Sequence, residues 1–304
     1  MKIVFFGTPD YVLPILKELD VRYEIGAVVT QEPKPTGRKK FIVRSAVDNW
    51  AYKQKIPVIY DLKKVPQFDL GVLAAYGKII PKSIIHNSKF GILNIHPSIL
   101  PKYRGASPIQ AAMATGDTES GVTIIKIDEI VDHGPIISQF KEEIKTSDTL
   151  GTLRSRLFQR AAEVFLALVE PYLQGKIRFR EQNHKEATHT VMVKKEHGFI
   201  LPKFLKYALL GKTLEEDWDI GFTKDFFLKP SPASCERFIR ALDPWPGAWT
   251  LLRLSASEGQ AKRLKILKAH LEGKKLVLDE VQLEGKNPVS WKEFLAGYPA
   301  IAFA

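Results

Sequence analysis

The stretch GILNIHPSILPKYRGASPIQ, residues 91–110, decides the fold. GILNIH (91–96) reads as a short buried strand entered through a glycine. Alternation along a strand puts Asn94 and His96 on one face, and His96 ends the strand. A long loop rich in proline and glycine follows, and a loop so placed is usually functional or a crossover. It leads to Ser107 and Pro108, which suit the cap and first turn of a helix. Upstream, KIVFF (2–6), IGAVVT (25–30), PVIY (57–60) and DLGVLAAY (69–76) read as further strands. Between them lie helical patterns: Val12, Ile15, Leu16 and Leu19 share one face behind Asp10 as N-cap, and a second helix falls near 45–55. Strand alternating with helix predicts a parallel α/β sheet covered on both faces. Ligands of such sheets sit at the carboxyl ends of strands, so Gly7, Tyr76 and His96 fall near one rim.

Downstream, GVTIIKID (121–128) is another strand, and a long helix from about Thr149 to Leu173 stops before Gly175. This first domain spans 1–181. Residues 182–196 are polar and read as a linker. Residues 197–304 carry a helix at 233–242, then AWTLLRL, AKRLKILKAHL and KKLVLDEVQL, with turns at Glu272-Gly273 and Glu284-Gly285. That pattern predicts a small β-rich second domain, possible as a barrel, closed by a helix with Trp291, Phe294 and Leu295.

Composition excludes several classes. Of 304 residues, 45% are hydrophobic and 26% charged, enough apolar surface for a sizeable core. No apolar run is long enough to span a bilayer, and the apolar start breaks at Gly7-Thr8-Pro9-Asp10 before any leader-like cleavage site. A single cysteine, Cys235, rules out an intrachain disulfide and a cysteine-based zinc site; in a helix-like stretch it reads as a small buried hydrophobe. The net charge of +11 favours anionic partners without choosing among them. GTPD after the first strand lacks the G-x-G-x-x-G pattern of dinucleotide oxidoreductases.

Three features carry the chemistry. N-x-H at 94–96 is weak alone. Lys102 and Arg104 in the following loop are suited to an anion or to solvent. Asp132, in EIVDHGPII, is by default a turn residue. Beside His96 it would instead orient and charge the imidazole. An amide, an imidazole and a carboxylate suit acyl or formyl transfer, with Asn94 donating to the developing oxyanion, His96 reinforcing it and Asp132 assisting proton removal. No metal is needed.

At these residues the chain resembles the methionyl-tRNA formyltransferases, within the folate-dependent formyltransferase superfamily. The matching stretches are FFGTPDYVLPIL, VVTQEPKPTGRKK, LAAYGKIIP, NIHPSILPKYRGASPIQAAMATGDTESGVTIIKID and VDHGPII, in order over most of residues 1–180. RALDPWPGAW resembles the family's second domain. The resemblance implies a Rossmann-like formyl-transfer domain followed by a smaller OB-like C-terminal domain. It puts Asn94, His96 and Asp132 at the catalytic positions, and Ser98, Ile99, Leu100 and Pro101 at the segment that holds the folate. It implies 10-formyltetrahydrofolate as donor and initiator methionyl-tRNA as acceptor, with Arg38, Lys39 and Lys40 engaging the acceptor stem. A cytoplasmic monomer that neither binds metal nor enters a membrane is the accompanying expectation.

Two departures stand out. GRKK is one glycine shorter than the family's usual loop. Residues 197–230 are longer than the resemblance predicts and hold Phe204, Leu205, Tyr207, Leu209 and Leu210; an extra helix packed on the second domain is the simpler reading. The alternative function is a formyltransferase acting on a nucleotide-linked amino sugar. A nucleic-acid-binding module on a degenerate enzyme fold is disfavoured by the intact Asn94, His96 and Asp132.

Overall fold

The computed structural model describes residues 1–36, 41–255 and 260–303. Two compact units share the chain. The first takes Met1–Arg104, Ser120–Glu142 and Arg154–Ala187, and the second takes Gly105–Glu119, Glu143–Leu153 and the chain from Thr188. The stretch 182–196 is thus divided after Ala187.

The first unit is built on β1 (Lys2–Gly7), β2 (Glu24–Val29), β3 (Val58–Ile59), β4 (Leu70–Ala74), β5 (Ile92–His96), β6 (Glu119–Lys126) and β7 (Ile136–Glu143). They form one sheet in the order β7-β6-β5-β4-β1-β2-β3. β1 runs parallel to β2 and β4, β2 to β3, and β4 to β5. Ile3, Val4, Phe5 and Phe6 are all fully buried, as expected of a central strand covered on both faces. Each such side chain contributes about 1.5–3 kcal/mol when withdrawn from water. The order reverses between β1 and β4, which makes the carboxyl ends of these strands the switch point where ligands of such sheets bind. Here the Tyr76 carbonyl accepts from Thr8 Oγ1 at 3.1 Å and from Gln31 Nε2 at 3.0 Å, tying together the loops after β1, β2 and β4.

The sheet is mixed: β6 runs antiparallel to β5, with Thr123 opposite His96. A parallel neighbour needs a crossover back to the amino edge, and residues 97–118 provide none. Two predicted caps differ as well. Helix α1 (Leu13–Arg22) starts with Pro14 in its first turn, so Asp10 instead opens a 3-10 turn. Helix α2 (Ala46–Lys53) is capped by Ser45, whose Oγ accepts from the Asp48 amide. Helix α3 (Pro108–Thr115) begins where expected, yet Ser107 Oγ accepts from the Val193 amide rather than from its own helix. Helix α4 runs Leu150–Leu173.

The second unit holds helices α5 (Pro202–Leu209) and α6 (Pro232–Ala241) and strands β8 (Ala248–Arg253), β9 (Lys262–Glu272), β10 (Lys275–Leu283), β11 (Val289–Ser290) and β12 (Ala302–Phe303), with helix α7 (Trp291–Gly297) before the last strand. The sheet order is β11-β10-β9-β8-β12, and the β8–β9, β9–β10, β10–β11 and β8–β12 pairs are antiparallel. Ala248, Thr250 and Leu252 alternate inward, as do Leu264 and Ile266. Rossmann-like and β-rich architectures therefore both follow the expectation. Residues 197–230 enter this second core. Phe204, Leu205 and Ala208 of α5 are buried, and the Trp218 ring sits 5.6 Å from Phe204 and 4.7 Å from Phe238. Leu210 stays half exposed. Burial pushes the Cys235 thiol up to about 12, so it packs as a hydrophobe and is no nucleophile at neutral pH. Among the described residues, no helix is long and apolar enough to cross a membrane.

Candidate active site

β5 carries the site. Its alternation directs Asn94 and His96 the same way, and both are buried at its carboxyl end. The loop between β6 and β7 brings Asp132 to them. Asn94 Nδ2 donates to Asp132 Oδ1 at 3.0 Å, and His96 Nδ1 stands 3.5 Å from Asp132 Oδ2. A carboxylate only accepts, so the Asn94 atom facing it is the nitrogen, which keeps a second N–H to donate. His96 Nε2 lies 3.0 Å from the Tyr103 carbonyl, so that nitrogen carries a proton. The three residues named from sequence thus converge, with His96 held at both ring nitrogens.

Asp132 has φ 52, in the left-handed region. Aspartate tolerates this better than most residues, but the conformation needs holding. Gly134 is required close by: a Cβ there would collide with the Lys126 carbonyl. Gln182 Nε2 donates to the Asp132 carbonyl at 2.9 Å and to the Gly134 carbonyl at 2.8 Å.

The loop leaving β5 is firmly tied. Ser98 Oγ donates to the Lys102 carbonyl at 2.7 Å, and Thr123 Oγ1 donates to the Ser98 carbonyl at 2.6 Å. The Leu100 amide donates to Thr123 Oγ1 at 3.1 Å, and its carbonyl accepts from Gln139 Nε2 at 3.0 Å. The Leu100 side chain packs with Ile125 and Ile136. Ile99 lies against Gly121, where a Cβ would strike it. Ser98 and Leu100 are buried, while Ile99 and Pro101 are partly exposed. This segment can offer an apolar edge and a fixed backbone to a flat ring beside the trio.

Arg104 differs from its expected role as a loop cation for an anion or solvent. It is buried and donates to Gln182 Oε1 at 3.2 and 2.7 Å and to His184 Nδ1 at 2.8 Å. Burial draws its guanidinium below its ordinary value, opposed by the charges of Asp132 and Asp128. Lys102 remains exposed. His133 turns from the trio, with Nδ1 at 2.6 Å from Asp128 Oδ2 and its ring stacked 3.9 Å from His184. Arg38, Lys39 and Lys40 lie outside the described residues. A separate cavity of about 660 Å³, lined by Arg44, Asp48, Tyr52 and Tyr60 among others, shares no residue with the trio. Among the described residues, no three His, Cys, Asp or Glu stand together as a metal site.

The family model described as "Formyl transferase" matches residues 1–169, which include the whole trio. The chain belongs to the formyl transferase family. A second model, "Formyl transferase, C-terminal domain", matches residues 229–276. A methionyl-tRNA formyltransferase of Chloroflexus aggregans is 32% identical, covering 99% of this chain and 98% of its own. One from Methylacidiphilum infernorum is 34% identical, covering 98% and 95%. Among solved structures, a methionyl-tRNA formyltransferase from Clostridium thermocellum superposes with a TM-score of 0.55 at 18% identity, over 93% of this chain and 98% of that one. A 4-N formyltransferase from Francisella tularensis gives 0.62 at 18%, over 90% and 98%. At such identity these structures establish the formyl transferase fold and do not separate acceptors.

Sequence reasoning missed Gln182, Thr123 and Gln139. Gln182 sits in the polar stretch read as a linker, 50 residues from the carbonyl it holds. No local pattern marks such a residue. Thr123 was within reach, because it falls in the strand that pairs with β5.

Proposed function

We propose that this protein transfers the formyl group of 10-formyltetrahydrofolate to the α-amine of methionyl initiator tRNA, for translation initiation. The buried Asn94–Asp132–His96 arrangement carries the chemistry. The acceptor is supported by full-length relatives at 32–34% identity named for it.

The donor supplies an activated formyl carbon. A bond forms from the amine nitrogen to that carbon, and the bond from the carbon to the folate nitrogen breaks. Asn94, with its second N–H, donates to the oxygen on which negative charge develops, and His96 stabilises the same charge. Asp132 accepts the amine proton, directly or through a water, and the departing folate nitrogen is protonated in turn. Holding these groups in a buried site strengthens each interaction relative to water.

Ser98, Ile99, Leu100 and Pro101 would line the folate, supported by the fixed backbone and apolar edge of the loop that leaves His96. Arg38, Lys39 and Lys40 would neutralise acceptor-stem phosphates, supported by the net charge of +11. Arg38→Ala is expected to weaken tRNA use while sparing the donor, and to reduce the salt slope of tRNA binding by about one. A change confined to the donor's KM would remove this assignment. A domain division at 181 and 196, an added segment at 197–230, a monomeric state and a cytoplasmic setting complete the reading.

The test mixes the protein with 10-formyltetrahydrofolate and either methionyl initiator tRNA or nucleotide-linked amino sugars. Formyl-methionyl-tRNA should form and formylated sugar should not. Product from the sugar alone would keep the trio and replace the acceptor.

A further inference from the structure

We infer that Gln182, itself fixed by Arg104, is the positioning residue that sets the Asp132 main chain and thereby aims its carboxylate at Asn94 and His96. The inference rests on the reading of Asp132 as a member of the catalytic trio. Asp132 sits at φ 52, a conformation that a non-glycine residue keeps only when its surroundings hold it. Both N–H groups of the Gln182 amide are spent on that loop, one on the Asp132 carbonyl and one on the Gly134 carbonyl, so they bracket His133.

The amide oxygen of Gln182 is held from the other side. Arg104 donates to it from Nε and from Nη2, which fixes which end of the amide faces the loop. Arg104 Nη2 also donates to His184 Nδ1, and His184 stacks flat on His133 at 3.9 Å and 5°. His133 in turn donates from Nδ1 to Asp128 Oδ2 at 2.6 Å. The Asp132–Gly134 loop is therefore gripped at two carbonyls and at the intervening side chain. Gln182 and Arg104 are each about 5% exposed, so water does not compete for these bonds. Arg104 belongs to the loop that leaves His96, and the Tyr103 carbonyl beside it accepts a hydrogen bond from His96 Nε2. One short segment thus orients the imidazole directly and the carboxylate through Gln182. Loss of that grip would shift Asp132 without removing any group of the trio, and small displacements of a reacting group are costly in rate.

The test compares kcat and KM for Gln182→Ala, Gln182→Glu, Asp132→Asn and the double variant Gln182→Glu/Asp132→Asn, with Tm and circular dichroism read on each. Gln182→Glu keeps two oxygens for Arg104 but presents no donor to the two carbonyls, so a purely structural partnership with Arg104 survives it. The expected result is a fall in kcat of about 10- to 100-fold in both Gln182 variants, with KM for donor and tRNA within about twofold. In the Asp132→Asn background, Gln182→Glu should add less than about twofold, because the two act as one unit. Wild-type kcat in the Gln182 variants beside a slow Asp132→Asn would overturn this inference alone. Losses that multiply in the double variant would overturn it too. A wild-type rate in Asp132→Asn would overturn the reading of the trio, and the inference with it.

Discussion

Among the histidine–aspartate pairs of the described residues, two in different units have geometries that run opposite to their surroundings. In the second unit, His270 Nδ1 contacts both carboxylate oxygens of Asp279, at 2.9 and 3.0 Å, but the side chains are 53% and 42% exposed. In the first unit, His96 and Asp132 stand farther apart, at 3.5 Å, with side chains only 5% and 10% exposed. On the proposed reading, the shorter contact is the less consequential one. His270 and Asp279 meet across the exposed β9–β10 hairpin, and surface pairs of this kind contribute little. His96 is held at its second nitrogen by the Tyr103 carbonyl, and Asp132 by Asn94 and, through its main chain, by Gln182. On the proposed reading, distance does not mark the working pair. Burial and the count of fixed partners do.

The strongest way to break this comparison is His96→Ala. Turnover should fall about 10³-fold while circular dichroism and tRNA binding stay near wild type. Unaltered turnover would put the buried pair on the same footing as the exposed one. Asn94→Ala comes next, with kcat expected to fall about 10²-fold, because it removes one donor to the oxyanion and one restraint on Asp132. A change in KM alone would assign Asn94 to binding instead.

The smallest effect belongs to His270→Ala. Turnover should match wild type within assay error. The hydrogen bond and charge of Asp279 raise the His270 pKa. Because the folded value lies above the unfolded one, the pair's stabilisation is fully present below the unfolded pKa and lost as pH rises through the folded one. The difference in Tm between wild type and His270→Ala should therefore be largest near pH 5, vanish near pH 9 and shrink with added salt. A difference that grows with pH would contradict the assignment.

The two pairs also show what a sequence can reveal. Asn94 and His96 were legible because strand alternation fixes their shared face, and β1 was legible because a run of four buried apolar residues has few other readings. The β9 and β10 strands followed from turns at Gly273 and Gly285, both of which have positive φ. Asp132 was placed by resemblance, since an aspartate between apolar runs is ordinarily a turn. Arg104 defied its reading because a charged residue in a proline- and glycine-rich loop looks solvated. Its burial depends on Gln182 and His184, 78 and 80 residues away. Ser107 was misjudged as a cap for the same reason, its hydroxyl being taken by an amide 86 residues on. Local rules describe what a side chain does when nothing distant offers it more.

The most direct test is the single-turnover rate of formyl transfer in Asp132→Asn, with donor and methionyl-tRNA binding measured separately. This change removes the charge and keeps the shape, including an acceptor oxygen for Asn94. A chemical step slowed about 10²-fold, with both substrates bound as tightly as by the wild type, is the predicted result. A wild-type rate would mean that the buried carboxylate only packs, and that the pair at the end of β5 works no harder than the one on the hairpin.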